Sequence, residues 1–276
     1  MRTEGFPNLL EAGNIFVGVR MESASGFYLR VQIGTRVRSL SEERTMVKRK
    51  KTGYIPCISP SVKSRADQLA LRKEMVRWAL VYVDLGWPII PLWSVDKNGK
   101  CVCRRKHCHS PGKHPHSRLV PKGVEDATKD REKVKLWFAS NDLNIGILTG
   151  SESGLLVLDV ETDKGGNESL TTLESRYGKF DAIEAVTGSG GKHLVMQYPK
   201  GRRIAHWVNE LAPGLFIRAT GDYIVACPSH HASGGGYEWK DEPAVIELPL
   251  CPEWLFTMGT RSRSVRETTK QGWKRI

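Results

Sequence analysis

No stretch of the 276-residue chain approaches the roughly 18–20 consecutive apolar residues that cross a bilayer, so no membrane-spanning segment is expected. The first residues, MRTEGFPNLLEAGNIF, lack a basic start followed by an unbroken apolar core, so a cleaved export leader is not expected either. Cysteine is scarce, with six residues. Three of them, Cys57, Cys227 and Cys251, stand far apart. That scatter argues against a disulfide framework and for a reducing, cytoplasmic setting. A phosphate loop of the G-x-x-x-x-G-K-[ST] type is missing, and no segment repeats.

Basic charge, by contrast, is plentiful and uneven. The formal net charge is +12. Residues 1–65 carry 12 Lys and Arg against 5 Asp and Glu, and residues 257–276 carry 6 against 1. The middle of the chain is therefore close to neutral. Basic arms around a neutral domain fit a polyanionic partner such as nucleic acid. With 39% hydrophobic residues, the chain can bury one good core with an appendage. The expected organisation is a basic N-terminal extension over 1–65, a folded domain over 66–256, and a basic tail over 257–276.

Local patterns give a mixed α/β (α+β) fold. IFVGVRMESASGFYLRVQIGTRV suits two short strands. From residue 66, apolar residues at Leu71, Met75, Trp78, Tyr82 and Leu85 have helical spacing, with Gly86 as a C-terminal stop. PIIPLW (88–93) reads as a strand. DREKVKLWFAS (130–140) reads as a helix capped by Asp130. NIGILTG and LLVLDVE are strands joined by a Ser/Gly turn, and NESLTTLESRYG is a helix ending at Gly178. EAVTGSGGKHLVMQYP reads as a hairpin turning at 188–191, and LFIRATGDYIVACP as another. Such mixing suggests a sheet, packed with helices, that carries the site.

Three stretches bear chemistry. In LLVLDVETDKGG, Asp159 and Glu161 leave the same face of a strand end. Carboxylates so placed can converge on a hard divalent cation, Mg²⁺ or Mn²⁺; the plainer alternative is a strand end whose acids meet solvent. In TGSGGKHL, the backbone around Ser189, Gly190 and Gly191 lets a phosphate approach closely. Lys192 there can supply a point charge, and His193 suits phosphate contact or proton transfer; a plain hairpin turn is the alternative. In CVCRRKHCHSPGKHPH, within 100–116, Cys101, Cys103, Cys108 and His114 have the ligand types and spacing of a closed structural zinc site. His107, His109 and His116 compete for the fourth position.

Taken in order, DLGWPIIPLW, the C-x-C…C segment with GKHP, NIGILTG, LLVLDVETDKGG, TGSGGKHLVMQYP and YIVACPSHHASGGGYEW resemble the bifunctional primase–polymerase (prim-pol) branch of the archaeo-eukaryotic primase superfamily. The resemblance covers about residues 70–255. It implies an RRM-like catalytic sheet with a zinc element, two divalent metals held through Asp159 and Glu161, and nucleotide contact over Ser189 to His193. The family pattern G-hydrophobic-D/E-hydrophobic-R aligns Gly214 and Arg218, but Phe216 stands where the third acid belongs. Asp222 is the nearest substitute. Arg218, Lys192 and His193 would hold the triphosphate.

The resemblance implies template-directed nucleotidyl transfer by a DNA primase/polymerase. Single-stranded DNA template, primer and dNTP or NTP would be its partners. Longer relatives carry a helicase module, so a separate helicase is the expected further partner. A second reading is a catalytically impaired relative that binds DNA as a replication initiation or accessory module. A metal-dependent nuclease ranks last.

Overall fold

The computed structural model describes residues 17–18, 32–33, 64–202, 210–241, 243 and 247–258. The chain divides into two units, Met1–Lys50 and Lys51–Ile276. In the first, β1 (Val17–Gly18) and β2 (Gln32–Ile33) pair antiparallel, in keeping with the two short strands expected there. The remainder of the expected basic extension up to residue 63, and the basic tail from 259, lie outside the described residues.

Among the described residues of the second unit, the first element is α1 (Arg65–Asp84). Ser64 and Asp67 form a reciprocal capping box: the Ser64 hydroxyl accepts from the Asp67 N–H and the Asp67 carboxylate accepts from the Ser64 N–H. The helical stripe then buries Met75, Trp78, Ala79, Tyr82 and Val83. After α1 come β3 (Ile89–Trp93), α2 (Arg131–Ser140), β4 (Leu143–Leu148), β5 (Leu155–Val160) and α3 (Gly166–Tyr177). Asp130 caps α2 by accepting from the Glu132 and Lys133 N–H groups. The remaining strands are β6 (Ile183–Val186), β7 (Lys192–Gln197), β8 (Glu210–Ala212), β9 (Leu215–Arg218), β10 (Tyr223–Ala226) and β11 (Glu238–Trp239).

Two antiparallel sheets result. One has three strands in the order β10-β4-β3, and the other six in the order β11-β6-β7-β5-β9-β8. Fold class is therefore mixed α/β, as the sequence implies. The hairpin expected from LFIRATGDYIVACP does not form. β9 pairs with β5 in the large sheet, whereas β10 pairs with β4 in the small one. The intervening segment is tied to β4's end instead: the Thr149 hydroxyl donates to the Ala219 carbonyl and the Thr149 N–H to the Asp222 carbonyl.

β5 is buried on both faces, which explains its unbroken apolar run. Leu155 and Val157 join Val195, Ile183, α1, α2 and the small sheet in one core. Leu156, Leu158 and Val160 join Leu194, Met196, Ile217 and α3's Leu173 in another. Each fully buried side chain of this size contributes about 1.5–3 kcal/mol. Within the first core, Tyr82 donates its hydroxyl hydrogen to the Cys227 carbonyl and accepts from the Trp239 indole N–H, both at 2.7 Å. Cys227 is itself disulfide-bonded, whereas Cys251 is a free thiol; sequence spacing carries no information on such a long-range pairing.

Candidate active site

Antiparallel register builds the site. Asp159 lies opposite His193 on β7 and opposite Phe216 on β9. Directly opposed residues share a face, so His193, Asp159 and Phe216 form one row across three central strands. Two residues along, Val157 lies opposite Arg218, which puts the guanidinium on that same face. Phe216 thus stands beside Asp159, at the position where the resemblance calls for a third acid.

The cation beside Asp159 is Arg218. Its Nε and one terminal nitrogen donate to Asp159 Oδ2 at 3.1 and 2.9 Å, and its other terminal nitrogen donates to Asp222 Oδ2 at 3.2 Å. Burial opposes this charge, but Asp159 and Asp222 outweigh it and raise the guanidinium above its usual value. Arg218 therefore gathers Asp222 to the site, although Asp222 lies past the end of β9. Glu161 follows β5 and pairs with Lys164 one turn on. Hydrogen bonding to Glu161 raises the Lys164 ammonium. Both cations flank the Phe216 ring, Lys164 at 5.5 Å and Arg218 at 5.7 Å from its centroid.

The position of Glu161 is fixed by backbone against backbone. Its N–H donates to the Gly214 carbonyl at 2.8 Å, and its own carbonyl accepts from Gly166 at 3.0 Å. A Cβ on Gly166 would lie 2.6 Å from the Gly214 oxygen. Gly214 has φ +69°, and a Cβ there would lie 2.5 Å from the Gly166 nitrogen. Only glycine fits at either place.

His193 is 5% exposed and its Nε2 lies 3.7 Å from Asp159 Oδ1, beyond hydrogen-bond range. Burial lowers its pKa; Asp159 pulls the other way, and Arg218 and Lys113 add to the lowering. The ring is thus held neutral near pH 7. It stacks on Tyr237 at 6.1 Å, and His231 meets the same tyrosine edge-on.

The Gly-rich turn and Lys192 sit differently. The Gly190 N–H donates to the Thr187 carbonyl, and the Gly191 carbonyl accepts from Thr187. Ser189 is exposed, with its hydroxyl 3.2 Å from that of Thr187. The Gly190 carbonyl accepts from the Thr162 hydroxyl, linking this turn to the segment after Glu161. Lys192 leaves the face opposite His193, 3.9 Å from Glu184. It is not brought together with Asp159.

The Cys/His element is an excursion between β3 and α2 that folds back along β3. Val95 bridges Cys101, and Leu92 bridges Pro115. Cys101, Cys103, Cys108 and His114 each offer one donor atom, all within 4.8 Å of one another. Three thiols and an imidazole suit tetrahedral zinc, so these four side chains could hold it. His107 and His109 are exposed, and His116 stacks on Trp93 at 3.8 Å. His114 is therefore the histidine gathered with the thiols. Burial pushes the Cys101 thiol up to about 11. Cys103 is also opposed by burial, but the Arg105 N–H and the neighbouring thiols hold it below the usual thiol value. Among the described residues, Asp159, Glu161 and Asp222 do not form a comparable ligand group. Their oxygens have the hardness that Mg²⁺ or Mn²⁺ requires, and each acid already carries a protein cation.

Lys164, Lys113, His231 and Tyr237 were not singled out by sequence. The signals were present but diffuse: Lys164 ends the D-x-E segment, Lys113 belongs to GKHP, and the other two lie in SHHASGGGYEW.

The family model described as bifunctional DNA primase/polymerase, N-terminal, matches residues 79–254. No curated protein matches the chain.

Proposed function

Because this chain belongs to the bifunctional DNA primase/polymerase family, we propose that it performs template-directed nucleotidyl transfer on single-stranded DNA, making or extending primers from dNTPs or NTPs. The observation that carries the reading is the row His193–Asp159–Phe216, with Arg218 joining Asp159 to Asp222.

In this reading Asp159 and Glu161 hold divalent metal, with Asp222 in place of the acid that Phe216 displaces. Mg²⁺ or Mn²⁺, when bound, supplies charge stabilisation for the attacking and leaving oxygens. The protein groups do the rest. Arg218 moves from Asp159 toward phosphate while keeping Asp222. His193, neutral and buried, donates one hydrogen bond to a phosphate oxygen. The basic ends of the chain attract template through salt-sensitive phosphate contacts, and zinc in the Cys/His element braces the fold. A separate helicase would open duplex DNA.

A second reading is favoured by one observation, the apolar ring of Phe216 beside Asp159. It is a DNA-binding replication initiation or accessory module without turnover. Labelled-nucleotide incorporation on primed and unprimed single strands, in Mg²⁺ and Mn²⁺, separates the two. We expect incorporation by the wild type and a loss of about 10³-fold or more in Asp159→Ala, as removal of a several-kcal/mol metal contact implies. An equal loss in Asp222→Ala assigns the third acid to Asp222. Incorporation that survives Asp159→Ala overturns the reading. A folded wild type that binds DNA and never incorporates selects the second.

A further inference from the structure

The Cys/His element carries a second feature besides its four donor atoms. Its opening hairpin is tied by its own backbone. Val95 bridges Cys101, the Asp96 N–H donates to the Lys100 carbonyl at 2.8 Å, and the Gly99 N–H donates to the Asp96 carbonyl at 2.9 Å. This hairpin and the segment 104–111 border a cleft of about 670 Å³, a size within the range of ligand sites. Lys100, Arg104, Arg105 and Lys106 line it, with Asp96 as the one carboxylate among the described residues there. No aromatic side chain among the described residues lines it. Cys101 and Cys108 border the cleft, whereas Cys103 and His114 do not, so it is not simply the seat of an ion held by all four.

The charges of the cleft are not used up within the chain. Among the described residues, none of its four cations forms an ion pair. The Asp96 carboxylate accepts from the Asn98 and Lys100 N–H groups, both at 2.9 Å, so it shapes the turn. Zinc bound to three thiolates adds one net negative charge. Set beside that charge and Asp96, the four cations still leave two positive charges in excess. Solvated loop charges need not converge on one concavity, and like charges so gathered repel until an anion enters. Arg104 has φ 60°, in the left-handed region. Glycine takes that conformation freely, whereas arginine there carries a steric cost. A strained residue of this kind points to a role for its side chain.

One loop joins the cleft to the carboxylate row. A Cβ on Gly99 would lie 2.1 Å from the Ala232 carbonyl oxygen, so the hairpin is pressed against the loop after β10. Ala232 follows His231, whose ring meets Tyr237 edge-on, and Tyr237 stacks on His193.

We propose that this cleft binds the sugar–phosphate backbone of single-stranded DNA, as a strand site apart from the nucleotide site at Asp159. Cations without aromatic neighbours hold phosphate and offer no base a stacking platform, so the contact is independent of sequence. The inference rests on the nucleotidyl-transfer reading and names the surface that grips the strand. The Cys/His element then braces the fold and holds DNA as well.

The test measures binding of a labelled oligothymidylate to the full zinc-loaded chain by fluorescence anisotropy across a salt series. Wild type is compared with a neutral variant that combines Lys100→Gln, Arg105→Gln and Lys106→Gln; Arg104 is left in place because of its backbone. A charge-keeping variant combines Lys100→Arg, Arg105→Lys and Lys106→Arg. A control removes exposed charge elsewhere through Lys122→Gln, Lys129→Gln and Lys135→Gln. Zinc content, melting temperature and dATP binding are recorded for each. The neutral variant is expected to bind about tenfold or more weaker at about 50 mM salt, with a log–log salt slope shallower by about 2, as loss of three single-strand phosphate contacts implies. Arg105→Gln alone should make the slope shallower by about 0.7, which carries the test should the triple variant not fold. The charge-keeping variant and the control should stay close to wild type, and dATP binding should not change.

Strand affinity and salt slope unchanged in a zinc-loaded neutral variant overturn the inference. So does an equal loss in the control, which makes the attraction a property of net charge. Lost dATP binding with strand binding kept overturns it in favour of a nucleotide site. A loss shared by the charge-keeping variant, together with lost zinc, overturns it in favour of a bracing role. A wild type that holds DNA through the cleft without incorporating nucleotide would sink nucleotidyl transfer and leave this inference standing. Incorporation by the wild type, with the neutral variant's strand affinity unchanged, does the reverse. A wild type that binds no single strand sinks both.

Discussion

The Cys/His element and the carboxylate row treat charge in opposite ways. The element gathers four soft donor atoms within 4.8 Å of one another, on a segment held to β3 by backbone bonds. The row spreads its acids along strand ends and matches each with a cation from the chain, Arg218 for Asp159 and Asp222, Lys164 for Glu161. One arrangement has the donor set of a tightly held zinc ion. In the other, three acids share two cations of the chain, so any divalent ion that bound there would compete with residues already in place. Soft donors gathered at one point and hard donors already paired with cations are thus different electrostatic arrangements within one fold.

That contrast can be broken most forcefully at the Cys/His element. Elemental analysis of the purified protein should find one zinc per chain. Stripping it with a strong chelator, or Cys103→Ser, should lower the melting temperature by about 10 °C or more, because metal binding free energy at such sites is folding free energy. A zinc-free protein that melts at the same temperature with and without chelator would remove the contrast.

Arg218→Ala sharpens it on the other side. Asp159 is 8% exposed, and losing its counter-ion leaves a nearly uncompensated charge. Breaking a buried pair costs about 3–5 kcal/mol; with the Arg218 side chain 27% exposed, a loss of about 1–3 kcal/mol is expected in denaturant titrations without divalent ions. Millimolar Mn²⁺ should then stabilise Arg218→Ala more than wild type. Equal stabilisation of the two would mean that the guanidinium and the metal do not share Asp159.

The smallest effect is a pH dependence. Burial holds His193 and His230 below the ordinary value of 6.5. The folded state keeps both neutral while the unfolded chain takes up protons near 6.5. Stability from these groups is therefore constant above that pH. It falls below it, by at most about 1.4 kcal/mol per pH unit for each histidine, until the folded-state pKa is reached. Unfolding titrations from pH 7.5 to 5 check the sign; stability that rises on acidification would refute it.

Much of this was legible in the sequence because it is local. α1 announces itself by apolar spacing and Gly86, α2 by Asp130 and α3 by Gly178, and the β6–β7 turn by its glycines. The grouping of Cys101, Cys103 and Cys108 was readable because short spacing limits how far donors can part, whereas the gathering of His114 with them, rather than His107, His109 or His116, was not. The separation of β9 from β10 was not. A turn signal between two apolar runs reads as a hairpin, and only the distant partner β4 reveals that the second run belongs elsewhere. Arg218 was read as a phosphate ligand, since nothing in the spacing said that it would meet Asp159 and Asp222 together.

Gly166 and Gly214 carry a lesson for anyone who varies this protein by library. Each occupies the space that the other's side chain would need, and Glu161 hangs from both. A screen that changes one position at a time and scores incorporation will count both glycines as indispensable, beside Asp159. It would be mistaking hinge-pins for the blade. Expression yield and folding, read separately from turnover, tell the two apart, and a tag or loop graft at the β8–β9 turn should be avoided for the same reason.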